Sequence, residues 1–267
     1  MAAALIAPHL PGCAYASALC IVINGIARTP KRSRRLISGT PLYLYQVALA
    51  FQILVYPALT LSAWSASRGG LYSVSWLKDG WGSNAMADAK LYERAFMCAV
   101  MGFMVKDLYL FKDDALFFLH HVVAIVGLLL FFVVPAGLGS FILGTTIFEL
   151  GNFTFNIALV YGKDSGRATS GRTKHLAEVC YAVGMPLSNV VGGAMFLWFA
   201  TFPGLKGTSW VYGLGAMWFG LIAGRLLVVF GRWGAYVESR KLGSARGPGG
   251  ERRSARVAAA PAGPKRE

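Results

Sequence analysis

The sequence predicts an all-α, polytopic transmembrane helical bundle of about seven spans. Three observations carry this expectation. Of 267 residues, 55% are hydrophobic and the mean hydropathy is +0.52. Only 14% are charged, against about 25% in an ordinary soluble domain. The apolar residues also fall in runs of about twenty, the length a helix needs to cross the hydrocarbon core of a bilayer.

Seven segments qualify, at roughly 8–27, 41–66, 92–111, 115–134, 137–161, 176–202 and 208–231. The first is interrupted by Pro8, His9 and Pro11. Its "ASA" at Ala16 to Ala18 resembles a signal-peptidase site, but no basic stretch precedes the apolar run. It reads as an uncleaved span with its N-terminus outside the cytosol. Between the second and third spans lies one substantial loop, whose Trp76 and Trp81 suit a membrane interface. The third span is the most polar, with Glu93, Arg94, Lys106 and Asp107. The fourth opens on Asp113 and Asp114 and carries the adjacent pair His120 and His121. The seventh contains Arg225.

The basic residues test the count, because cytosolic loops collect Lys and Arg. With seven spans, nineteen of the 26 fall on one side. They cluster after the first span (Arg28, Lys31, Arg32, Arg34, Arg35), after the fifth (Lys163, Arg167, Arg172, Lys174) and in the tail. Only Arg68, Lys78, Lys90, Arg94 and Lys206 fall on the other. The N-terminus is therefore expected outside the cytosol and the C-terminus within it. The formal charge of +14 is then a product of topology, and nucleic-acid binding is not needed to explain it. From about Gly243 the chain lacks aromatics and is rich in Gly, Pro, Ala and Arg, a composition expected to be disordered. Its charge suits either solvent or anionic headgroups.

Ionisable groups inside spans are costly and point to function by default. In the fifth span, Thr145, Glu149, Asn152 and Asn156 are spaced 4, 3 and 4, which puts them on one helical face. That stripe is expected to meet other helices or a wet cavity; hydrogen bonding between helices suits the asparagines, and a functional role suits Glu149. His120 and His121 lie one to two turns inside the membrane. Adjacent residues on a helix point about 100° apart, so the two do not converge on one metal ion. The only other histidines are His9 and His175, too few for a histidine-rich di-iron site. No bound metal or cofactor is expected. One imidazole suits general base or nucleophilic chemistry, while structural hydrogen bonding remains the alternative for both. A retinal protein is excluded because the last span has no lysine for a Schiff base. Cys13, Cys20, Cys98 and Cys180 lie in apolar runs without a CxxC pair, which argues for buried thiols rather than a disulfide or zinc framework.

The run "FMVKDLYLFKDDALFFLHHVVAIVGLLLFF" (103–132), followed by "TTIFELGNFTFNIALVYG" (145–162), resembles the TLC-domain family, which includes ceramide synthases and non-synthase lipid-associated proteins. The match is one of order: Asp107 at the end of one span, acids before paired histidines, then a glutamate with a downstream asparagine. The resemblance implies a six-helix core over 41–232 enclosing a lipid-accessible cavity. Residues 1–40 would be a preceding span and basic loop, and 233–267 a cytosolic tail. It implies an endoplasmic-reticulum protein, lumenal at its N-terminus, whose partners are membrane lipids and long acyl groups. In the catalytic version acyl-CoA is the substrate, His120 and His121 perform acyl transfer, and Glu149 or Asp107 orients them. Lys106, Asp114, Thr145, Asn152, Asn156 and Arg225 would line the cavity. The chain departs from the synthases: Glu149 is the sole acid of "LGTTIFELGN", and there is no homeobox-like insertion. A lipid-binding protein of lipid metabolism or homeostasis is therefore the first expectation and a ceramide-synthase-like acyltransferase the second.

Overall fold

The computed structural model describes residues 6–30, 36–37, 40–80, 87–110, 115–162, 165 and 169–245. Among these the architecture is helical. A 3-10 turn, Ala7–His9, leads into α1, Leu10–Ala27. A minimal antiparallel hairpin follows, with β1 Leu36–Ile37 against β2 Thr40–Pro41. Next come α2 (Leu42–Ala50), a π-turn over Phe51–Val55, and α3 (Tyr56–Ala66), which together make one rod. Short α4 (Val74–Lys78) precedes α5 (Ala87–Leu110), α6 (Ala115–Phe131), α7 (Leu138–Tyr161), α8 (Gly171–Phe199) and α9 (Ser209–Ala245). The π-turn sits where Pro57 removes a backbone donor and its ring presses on the preceding turn, a mismatch that one wider turn absorbs.

Five helices are long and apolar enough to cross a membrane: Ala7–Ala27, Leu42–Ala66, Leu138–Tyr161, Gly171–Phe199 and Ser209–Lys241. The other two sequence-derived spans differ for separate reasons. Helix α5 has the length, but Asp88, Lys90, Glu93, Arg94, Lys106 and Asp107 make it too polar. Helix α6 is apolar but only 17 residues long. At the other end of the chain, α9 runs on past 231 to Ala245. The tail beyond it lies outside the described residues, as does Trp81.

Consecutive helices run back and forth between two ends of the bundle. Gln52 meets Glu149 and Thr60 meets Thr146, so the α2–α3 rod is antiparallel to α7. Phe155 meets Tyr181, and Arg225 and Arg232 meet Met185 and Glu178, so α7, α8 and α9 alternate likewise. The first end gathers His9 with Phe132, α4 with the start of α7, and Phe199 with Phe131. There Gly137, at φ +81°, donates its N–H to the Lys78 carbonyl, a left-handed turn that glycine adopts without strain. Trp76 is fully buried at this end, its indole donating to Glu93 Oε1 at 2.8 Å. It is thus a core anchor at this end of the bundle.

Helices α1 and α5 run parallel, in register at every fourth residue. Arg94 Nη2 donates to the Pro8 carbonyl at 2.9 Å. One turn on, the thiols of Cys13 and Cys98 lie 3.5 Å apart. Next, Gly102 faces the Ala16–Ser17 backbone so closely that a Cβ there would sit 2.6 Å from Ala16 C. Small residues at four-residue intervals let helix backbones approach in this way. The main core forms where α1, α3, α5 and the aromatic ends of α6 and α8 meet, around Tyr56, Trp76, Phe96, Phe103 and Phe132.

Candidate functional site

Two buried polar clusters among the described residues contain the groups singled out in the sequence. The first lies between α5 and α6. Lys106 and Asp107 are neighbours in sequence, 5% and 7% exposed. The Lys106 ammonium pairs with Asp107 Oδ1 and stands 3.7 Å over the Phe103 ring, so the cation is stabilised by both a charge and a π face. The other carboxylate oxygen, Oδ2, faces His121 Nε2 at 3.6 Å. That spacing is an ion-pair distance, longer than a hydrogen bond. His121 is 3% exposed. The carboxylate therefore stands between an ammonium and an imidazole, a placement that orients the ring. Cys20 of α1, also buried, lies within electrostatic reach of Lys106 and Asp107, so α1 covers this cluster from one side.

The second cluster joins the α2–α3 rod to α7. Glu149 accepts from Gln52 Nε2 at 2.9 Å and from Asn152 Nδ2 at 3.0 Å. Asn156 Nδ2 in turn donates to Gln52 Oε1 at 3.0 Å. Both carboxylate oxygens thus have a donor, which is how a charge is tolerated away from water. One turn outward, Thr60 and Thr146 share a hydrogen bond of 2.6 Å. Arg225 and His121 both lie within electrostatic reach of Glu149. Arg225 itself stacks on Phe148, Cζ 3.5 Å from the ring centroid, and donates to the Phe148 carbonyl and the Met185 sulfur.

Tyr56 stands between the two clusters. It is fully buried against Phe51, Phe96 and Phe103. Its hydroxyl has no hydrogen-bond partner among the described residues, and it lies within electrostatic reach of Glu149, Cys20 and Asp107.

Of the residues singled out in the sequence, Lys106, Asp107 and His121 come together, and Glu149, Asn152 and Asn156 share one network. Thr145 joins neither; its Oγ1 is buried without a partner among the described residues, and the adjacent Thr146 makes the contact to α3 instead. His120 lies on α6, but its side chain is outside the described residues, as is the whole of Asp114. Four residues were missed. Gln52 was hidden as a single amide in a long apolar run, and Tyr56 as one more aromatic. Glu178 and Arg232 form a bidentate pair at 2.9 and 2.7 Å, with Glu178 wholly buried. Counting Arg232 as a tail charge concealed this pair, although a glutamate inside the sixth apolar segment signals the need for a partner. Cys180 is exposed, unlike the other three thiols.

A groove of about 300 Å³ lies apart from these clusters, between α8 and α9, lined by Asn189, Val190, Gly193, Leu197, Phe219 and Ile222. No group of three or more metal-ligating side chains occurs among the described residues. Comparison with protein-family models, curated proteins and solved structures finds no match to this chain.

Proposed function

We propose that this chain is a multi-pass membrane protein of lipid metabolism or homeostasis, built on a TLC-type core, that holds a long acyl chain in its interior. The Asp107–His121 pair marks the polar end of that chain's site. The observation that carries the reading is the burial of Lys106, Asp107 and His121 together among helices of membrane-crossing character. Burying such a trio is costly, and the cost is best explained by a site. The resemblance of the 103–132 and 145–162 segments to TLC proteins names the ligand class.

On this reading the membrane is crossed seven times, with α5 and α6 as inner spans whose polar residues face protein and not lipid. The alternating ends of the bundle support an odd count. The basic residues Arg28, Arg172, Lys174, Arg240 and Lys241 share the end opposite His9, which supports a lumenal N-terminus and cytosolic C-terminus in the endoplasmic reticulum. The test is mass spectrometry of lipids retained when the protein is extracted from native membranes in polymer discs. A specific long-chain lipid is expected with the native chain and a depleted one with His121→Ala; identical lipid profiles for the two would refute the reading.

A second reading, acyl transfer, is favoured by the Asp107 carboxylate facing His121. The carboxylate orients the ring, and the imidazole takes a proton from an attacking amine as its nitrogen bonds to the thioester carbon. The carbon–sulfur bond of acyl-CoA then breaks and the thiolate recovers the proton. Incubation with acyl-CoA and a long-chain base would yield an amide with the native chain and none with Asp107→Asn or His121→Ala.

A further inference from the structure

We propose that Cys13 and Cys98 are a disulfide site that pins α1 onto α5 over the Lys106–Asp107–His121 cluster. Their thiols are 3.5 Å apart and both residues are 6% exposed. A disulfide needs sulfurs about 2.05 Å apart and Cα atoms about 4.4–6.8 Å apart. The second requirement is the hard one, and the close approach of the two helices favours it. One turn along, the Gly102 and Ala16 backbones are in contact. One turn the other way, Arg94 bonds the Pro8 carbonyl. The cysteines lie between two fixed points of a parallel register, so rotation about their side chains closes the remaining gap.

A cation also stands close to the pair. A Cβ placed on Gly12 would lie 3.2 Å from Cys98 Sγ and 3.7 Å from both Nε and Nη2 of Arg94. The guanidinium is therefore beside the thiols. Arg94 itself is exposed. Both cysteines lie near the end of the bundle that carries His9, the end proposed to face the lumen; the inference rests on that orientation. There a protein-disulfide oxidant is at hand. One thiolate attacks the oxidant's disulfide sulfur and expels a thiol. The second thiolate then attacks the mixed disulfide, forming the Cys13–Cys98 bond and releasing the oxidant as its dithiol. Two protons and two electrons leave the pair.

The consequence reaches the site. Further along the same register, Cys20 lies within electrostatic reach of Lys106 and Asp107. A covalent tie at Cys13 holds that part of α1 over the cluster, while the reduced helix is held only by packing and the Arg94–Pro8 hydrogen bond.

The experiment blocks free thiols with N-ethylmaleimide in denatured native membranes, then reduces and labels with iodoacetamide before peptide mass spectrometry. The expected result is acetamide on Cys13 and Cys98 and maleimide on Cys20 and Cys180. In Cys13→Ser, Cys98 should carry maleimide. Maleimide on both Cys13 and Cys98 in the native chain overturns the proposal, and so does acetamide on Cys98 in the variant. A glycosylation acceptor added at the N-terminus separates the two ideas. A glycosylated tag with maleimide on both cysteines removes the disulfide alone, whereas an unglycosylated tag with the same labels removes the lumenal orientation as well.

Discussion

Gln52 and Glu149, 97 positions apart in sequence, meet through a 2.9 Å hydrogen bond in the buried interior. The bond fixes the α2–α3 rod against α7. It also leaves the Gln52 carbonyl to accept from Asn156, so one amide serves two partners on the same neighbouring helix.

Replacing that amide by a similar volume of hydrocarbon, Gln52→Leu, takes one donor from the Glu149 carboxylate and strands the Asn156 amide. A loss of about 2–3 kcal/mol is expected, read as a lower melting temperature in detergent. Asn156→Leu should cost less, because Glu149 keeps both of its donors. The double variant should fall short of the sum of the two; full additivity would show that the network does not act as a unit.

Glu178 and Arg232 provide a sharper test. The carboxylate is wholly buried and the side chain of Arg232 is 12% exposed. Glu178→Gln leaves a guanidinium without its countercharge and is expected to cost about 3–5 kcal/mol. Replacing both, with Glu178→Leu and Arg232→Met, should recover most of the loss. Recovery is read from the folded, monodisperse fraction on size exclusion.

Gly102 has no room for a side chain. Gly102→Leu would drive its Cβ into the Ala16–Ser17 backbone and push α1 off α5. Overpacking of this kind costs about 1–3 kcal/mol. Helix separation is checked by first reducing the protein and then re-oxidising it with copper phenanthroline, where the yield of the Cys13–Cys98 link should fall in the variant.

The seven crossings proposed above put the termini on opposite faces of the membrane. In sealed microsomes, protease should remove a C-terminal epitope and spare an N-terminal one. Removal of both would require an even count, and α5 or α6 would then be the helix that does not cross.

How much of this was legible beforehand follows from the kind of information each feature needs. Apolar runs declared the helices, because a membrane leaves the backbone no other way to satisfy its polar groups. The 4-3-4 spacing from Thr145 to Asn156 declared a polar face, because helical periodicity is local. Asp107 and His121 were marked as costly residues for the same reason. Their partners were not legible. Gln52 has no periodic signature, and its role exists only because the π-turn and the antiparallel packing bring it opposite Glu149. The choice of Thr146 over Thr145 depends on the rotation of α7 against α3. The Cys13–Cys98 contact depends on two helices, separated in sequence by the whole α2–α3 rod, lying parallel and four-residue matched. Composition and periodicity thus specify which groups must be buried; the rotation and register of helices, which depend on packing between distant segments, specify what each buried group meets.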